Sequence, residues 1–276
     1  MHYVNPQCST IIFGFDSAWT DAAVAPGAIC AIAFDERGQV EFHKPRLVSF
    51  ANAHSFIDEL RHDFAVSLVA IDQPTVVPNT TGSRPVDKVA GSLVSFVGGG
   101  VQPANRSRIG MFCNDSAIWS FLSKLNATQD PIDARGATKG NFLIEVFPAL
   151  AFPSLEDRFS QRLSGPKYNP KNRRKFRLED WRSVTAVVRT SAQNFGVVGL
   201  VDWCDRMDAI AEPRKADQDM LDAALCALIG LGWRAGPVTR SAMLGDLNTG
   251  YMVTPISDST RPRLKEAAVL RGVPIS

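Results

Sequence analysis

The sequence carries almost no charge imbalance. Thirty Lys and Arg stand against twenty-eight Asp and Glu, a formal net charge of +2. Bulk electrostatics therefore names no partner, and any anion or nucleic-acid site must come from local clustering. Histidine is scarce: of four, His2 lies beside the N-terminus, and His43, His54 and His62 show no metal-ligand spacing. The five cysteines (Cys8, Cys30, Cys113, Cys204, Cys226) are odd in number, scattered and without a CxxC pair, which speaks against a structural zinc site and a disulfide framework. There is no GxSxG, and no cysteine stands in an activating setting, so serine or cysteine catalysis finds no support. Met1 to Thr10 holds no Lys or Arg and no apolar h-region. The longest nearly apolar run, Ala223 to Trp233, is too short to span a bilayer. The expectation from these absences is a reduced, soluble, cytoplasmic protein with no membrane partner.

What is present fits a globular chain. At 276 residues, 45% apolar and 21% charged, it buries roughly three quarters of its unfolded surface and needs no staple. Ile11 to Asp16, Ala28 to Phe34 and Val40 to Phe50 read as three closely spaced strands, an antiparallel meander. Asn52 is the expected cap of a helix carrying Phe56, Ile57, Leu60 and Phe64. Ser67 to Asp72 then reads as a fourth strand, reached by a crossover and so parallel to an earlier one. Pro74 to Gly110 is rich in Gly, Pro, Ser and Thr and reads as a long loop. Asp115 is the expected cap of a helix with Ile118, Phe121, Leu122 and Leu125. Phe142 to Phe147 reads as a fifth strand, and a final helix is expected from about Asp217 to Leu231. No repeat and no clean linker divides the chain.

The acids are the informative pattern. Asp16 ends the first buried strand, Asp72 ends the fourth, and Glu145 lies within the fifth. An unpaired carboxylate in apolar surroundings is costly, while ligands of open α/β sheets bind at the C-terminal ends of parallel strands. The first and fourth strands can bring Asp16 and Asp72 side by side there. Two close carboxylates repel unless a cation lies between them, and Mg²⁺ or Mn²⁺ suits oxygen ligands. On the last helix, Asp222 falls at the edge of the stripe formed by Leu221, Leu225, Leu228 and Ile229, and so needs a partner. Asp219 lies one turn before it. Acids with no His or Cys partners fit metal-assisted phosphoryl chemistry. Either strand-end Asp alone could equally start a turn or cap a helix.

These residues carry a resemblance. Gly14-Phe15-Asp16-Ser17-Ala18, Ala70-Ile71-Asp72-Gln73-Pro74, Glu145-Val146-Phe147-Pro148 and Asp219-Met220-Leu221-Asp222-Ala223-Ala224 resemble, in order, the family called domain of unknown function 429, whose members are described as predicted RNase H-like nucleases. Arg84-Pro85-Val86-Asp87 and Tyr168 to Arg177 add to the likeness, which runs from about residue 11 to 257. It implies an α/β, three-layer RNase H-like fold: a mixed five-stranded sheet of order 3-2-1-4-5 with helices on both faces. It implies one such domain over 1–276, with insertions at about 74–112 and 152–200. It also implies metal-holding roles for Asp16, Asp72 and Asp222, with Asp219 and Glu145 as further catalytic candidates. Gln73 departs from the more usual small or apolar residue before the proline.

Lys167, Lys171, Arg173, Arg174, Lys175 and Arg177, interleaved with Tyr168 and Phe176, form a candidate substrate-binding segment, able to hold a phosphate backbone and stack on bases. Read blandly, it is a solvated helix start. Arg106 and Arg108 could add phosphate contacts. Gly98-Gly99-Gly100 lacks a following Lys-Ser/Thr and reads as a flexible loop. Sugar kinases and actin-like ATPases share the core but need a glycine-rich phosphate loop after the first-strand Asp. Ser17-Ala18-Trp19 stands there instead. The expectation is a Mg²⁺- or Mn²⁺-dependent nuclease acting on DNA or RNA. The competing expectations are a catalytically silent nucleic-acid-binding or regulatory protein and a phosphatase for a small phosphorylated metabolite.

Overall fold

A computed structural model describes residues 8–17, 19–22 and 26–276. The expectations resting on His2, on most of Met1 to Thr10 and on Ala18 lie outside the described residues. Strands β1 (Thr10–Asp16), β2 (Gly27–Phe34) and β3 (Val40–Val48) form the antiparallel meander. Helix α1 (Phe50–Arg61) leads to β4 (Val66–Ile71), and α2 (Pro85–Val94), α3 (Ala117–Leu125) and α4 (Pro131–Gly136) precede β5 (Gly140–Glu145). Helices α5 (Pro148–Leu155), α6 (Leu178–Asn194), α7 (Val198–Asp208) and α8 (Lys215–Ala235) follow. A hairpin of β6 (Ser241–Asp246) and β7 (Gly250–Pro255) and helix α9 (Arg261–Arg271) complete the order. The five main strands pair as 3-2-1-4-5, with β4 parallel to β1 and β5 parallel to β4. This is the mixed α/β sheet that the resemblance implies.

Two-residue alternation divides the core. Ile11, Phe13, Phe15, Val69 and Ile71 pack on one face with α1 and α3. Ile12, Leu68, Ala70 and Ile144 pack on the other with α6 and α8. Buried on both faces, β1, β2 and β4 read as continuous apolar runs. The helices therefore cover both sides of the sheet.

Several boundaries differ from the sequence reading. Ser49, not Asn52, caps α1: its hydroxyl accepts the Asn52 N–H at 3.2 Å, and β3 stops at Val48. Helix α3 follows Ser116 rather than Asp115. The stretch 74–110 is not all loop, because Pro85 begins α2 and Asp87 accepts the Arg84 N–H at 3.0 Å. The glycine run closes that helix: Gly98 takes φ +86°, and the Gly99 N–H returns to the Val94 carbonyl at 2.8 Å. Helices α4 to α7, the hairpin and α9 lie where the sequence patterns mark no element. Among the described residues no helix is long and apolar enough to cross a membrane, and all five cysteines are free.

Candidate functional site

Parallel pairing sets the first two acids side by side. Phe15 is in register with Ile71, and the Asp72 N–H donates to the Phe15 carbonyl at 2.8 Å. Asp16 and Asp72 continue the alternation of Ile12, Leu68 and Ala70, so both belong to the α8 face. Gly14 lets α8 come close. A Cβ there would overlap the Ala223 carbonyl oxygen and the Ala227 nitrogen. Gly230 serves the same contact further along, where a Cβ would sit 2.9 Å from Ile12 and 3.0 Å from Ala70. This glycine seam lowers α8 onto β1 and brings Asp222 to the strand ends. Lys215, Gln218, Asp219 and Asp222 recur at helical spacing, and with Asp16 and Asp72 they line an open cleft of about 690 Å³. That volume suits a small ligand or a nucleotide-sized unit. The cleft is also lined by Trp19, Pro26, Leu47 and Met111, which are apolar, and by Lys171.

The electrostatics of the cleft are dominated by burial and like charge. Burial first, then the charges of Asp222 and Asp72, raise the Asp16 carboxyl well above the usual carboxylate range, against the pull of Lys215. Asp72 is raised by burial and by Asp222 and Glu145. Asp222 is pushed up to about 6 by burial, although Lys215, Tyr168 and Gln218 favour its charged form. The Tyr168 hydroxyl donates to Asp222 Oδ1 at 2.6 Å, and the Gln218 amide donates to Oδ2 at 3.0 Å. Burial pulls the Lys215 ammonium down, but Asp222, Asp16 and Asp219 outweigh it and hold it above its usual range. Lys215 Nζ is hydrogen-bonded and ion-paired to Asp219. The two turns beyond the strands are tied together, since the Ser17 hydroxyl donates to the buried Gln73 side chain. The unusual residue before Pro74 thus has a structural task.

This donor set fits a hard divalent cation. It is all carboxylate, and its negative charge exceeds what Lys215 balances. As the side chains stand, no three acidic, histidine or cysteine groups among the described residues are arranged to hold one ion. Mg²⁺, however, is often held by one or two carboxylates plus waters and substrate phosphates, which Asp16 and Asp72 can supply.

Other residues singled out in the sequence are placed elsewhere. Glu145 does not line the cleft. Its Oε1 accepts from Arg84 at 2.6 Å, and its Oε2 accepts from Arg84 at 2.9 Å and from the Thr75 N–H at 3.0 Å. Arg84 is fully buried and also pairs with Asp87 at 2.8 Å. Of the basic segment only Lys171 reaches the cleft. Lys167 Nζ donates to the Gly98 carbonyl at 2.7 Å, while Arg173, Arg174, Lys175 and Arg177 are exposed outside the cleft lining. Arg106 donates to the Val77 carbonyl at 2.7 Å and stacks on Trp119. Lys215 and Gln218 escaped the sequence reading, although extending the helical period back from Asp222 by seven and four residues would have found them. In the basic segment Tyr168 reads as a stacking aromatic, and nothing local marks it as the partner of Asp222.

With this geometry in place, one family model matches the chain over residues 14–243, described as "Protein of unknown function (DUF429)". No curated protein and no solved structure matches it.

Proposed function

We propose that this chain, which belongs to the DUF429 family, is a cytoplasmic, Mg²⁺- or Mn²⁺-dependent nuclease of RNase H-like type that hydrolyses nucleic-acid phosphodiester bonds. One observation carries the reading: Asp16 and Asp72 lie at adjacent C-terminal ends of parallel strands, facing Asp222 on α8 across an open cleft. Asp16 and Asp72 would hold the cation, with Asp222 and Asp219 next to them. Bound there, the cation would activate water and stabilise the leaving oxygen. The chain's own groups do the rest. Lys171 and Lys215 place positive charge in the cleft for a phosphate, and Trp19 and Met111 offer an apolar wall against which a base can lie. Tyr168 and Gln218 hold Asp222 by a hydrogen bond to each of its oxygens.

The volume of about 690 Å³ and the presence of two basic side chains among the described lining residues favour a second reading, a small phosphorylated metabolite as substrate. The test is cleavage of end-labelled single-stranded DNA, RNA and an RNA–DNA hybrid, beside p-nitrophenyl phosphate, with Mn²⁺ or Mg²⁺. The nuclease reading expects strand cleavage that EDTA abolishes and Asp16→Asn or Asp72→Asn lowers by at least 100-fold, on the order expected when a transition-state interaction is removed. Release of p-nitrophenol without strand cleavage supports the metabolite reading. Full cleavage by both variants would sink the mechanism.

A further inference from the structure

We infer that the Lys215 ammonium is a resident cation of the acidic cleft, standing where a second divalent ion would otherwise sit, so that the site takes up one metal ion rather than two. The inference rests on the metal-dependent reading above and concerns only the count.

On the α8 side of the cleft each carboxylate has a side-chain partner, while the buried Gln218 Oε1 has none. Lys215, on the first turn of α8, ion-pairs with Asp219 one turn on, and Asp222 follows on the same face three residues later. The Asp219 side chain is 12% exposed and that of its partner Lys215 45% exposed. Asp222 has both oxygens engaged by Tyr168 and Gln218. The strand side is different. Among the described residues no side chain donates a hydrogen bond to the carboxylate of Asp16 or of Asp72, and both line the cleft. A divalent ion therefore finds available ligands on the strands and a fixed positive charge on the helix.

Charge decides the count. Among the described residues four carboxylates line the cleft against the ammoniums of Lys215 and Lys171, and a single divalent ion brings the set to neutrality. A second ion would have to sit about 4 Å from the first, where it would displace the ammonium from Asp219 or be repelled by it. A Lys ammonium is compact and point-like, and so can take the place of an ion in a cluster of oxygens. Lys215 lines the same cleft as Asp16, Asp72, Asp219 and Asp222.

The test is calorimetric titration of Mn²⁺ into the full chain and two variants, with electron paramagnetic resonance of the loaded samples. The wild type is expected to bind one ion with an isolated-ion spectrum. Lys215→Met keeps side-chain length without charge and is expected to bind two, with a spin-coupled spectrum. Lys215→Arg keeps the charge and is expected to remain at one, which separates the charge from any effect of substitution on folding. Two ions in the wild type, or one ion in Lys215→Met, would overturn the inference while leaving metal dependence standing. No Mn²⁺ uptake by the wild type would instead overturn the metal-dependent reading, and the count with it.

Discussion

Asp16 is buried at the end of an apolar strand, with the charges of Asp222 and Asp72 acting on it. A charged carboxylate there loses hydration and gains repulsion, so the folded state prefers it protonated. A carboxyl raised above its unfolded value of about 3.9 contributes most below that pH and loses its contribution as pH rises through the folded value. For Asp222 the window runs from about pH 4 to about pH 6. Asp16 and Asp72 are raised in the same direction and extend the decline upward. Asp16→Asn is therefore expected to raise the stability of the metal-free protein at neutral pH. The gain should disappear as pH falls towards 4, where the wild-type group is also neutral. Thermal unfolding in EDTA across this pH range measures it, and a variant less stable than wild type at pH 7.5 would show that the carboxylate is compensated in the folded state.

At the scale of elements, the site depends on how closely α8 lies on the sheet. Gly14 and Gly230 set that distance, since a side chain at Gly14 would meet helix backbone, which cannot rotate away. Gly14→Ala is expected to cost ~1–3 kcal/mol by overpacking. It should also weaken Mn²⁺ binding by moving Asp222 and Lys215 away from Asp16. Denaturant unfolding and calorimetry would show both effects, and loss of stability with unchanged metal affinity would mean that the helix pivots about the site rather than lifting. Much of this element was legible in the sequence. The apolar runs ending on Asp16 and Asp72 marked the strands, and the helical period placed Asp222 beside the apolar stripe. The helix start was read two residues late, at Asp217, and that small error hid Lys215.

Across the whole molecule, the fully buried Arg84 joins parts far apart in the chain. It pairs with Glu145 at the end of β5 and with Asp87 in α2, and it donates to the Val76 carbonyl at 3.0 Å. Thr75, three residues after Asp72, donates its N–H to the same Glu145. The loop leaving the site is thereby pinned to the sheet and to α2. Removing one partner of a buried pair leaves the other charge uncompensated, so Glu145→Gln is expected to cost ~3–5 kcal/mol. Chemical denaturation checks the loss. A near-neutral result would show that Asp87 alone suffices for Arg84.

The runs Ile11 to Asp16, Ala28 to Phe34 and Ser67 to Asp72 mark their strands locally, because burial on both faces enforces unbroken apolar runs, while the order 3-2-1-4-5 is what the family resemblance implies. A parallel crossover allows Asp16 and Asp72 to meet at one edge, and the pairing of β1 with β4 brings them there. Packing of distant segments sets what each acid pairs with. Glu145 belongs to an arginine 61 residues away, Asp222 to a tyrosine 54 residues away, and most of the basic segment to solvent. Hydrogen bonds and ion pairs act over a few ångströms, and nothing in the local spacing of polar residues records which of them the packed core will bring within that reach.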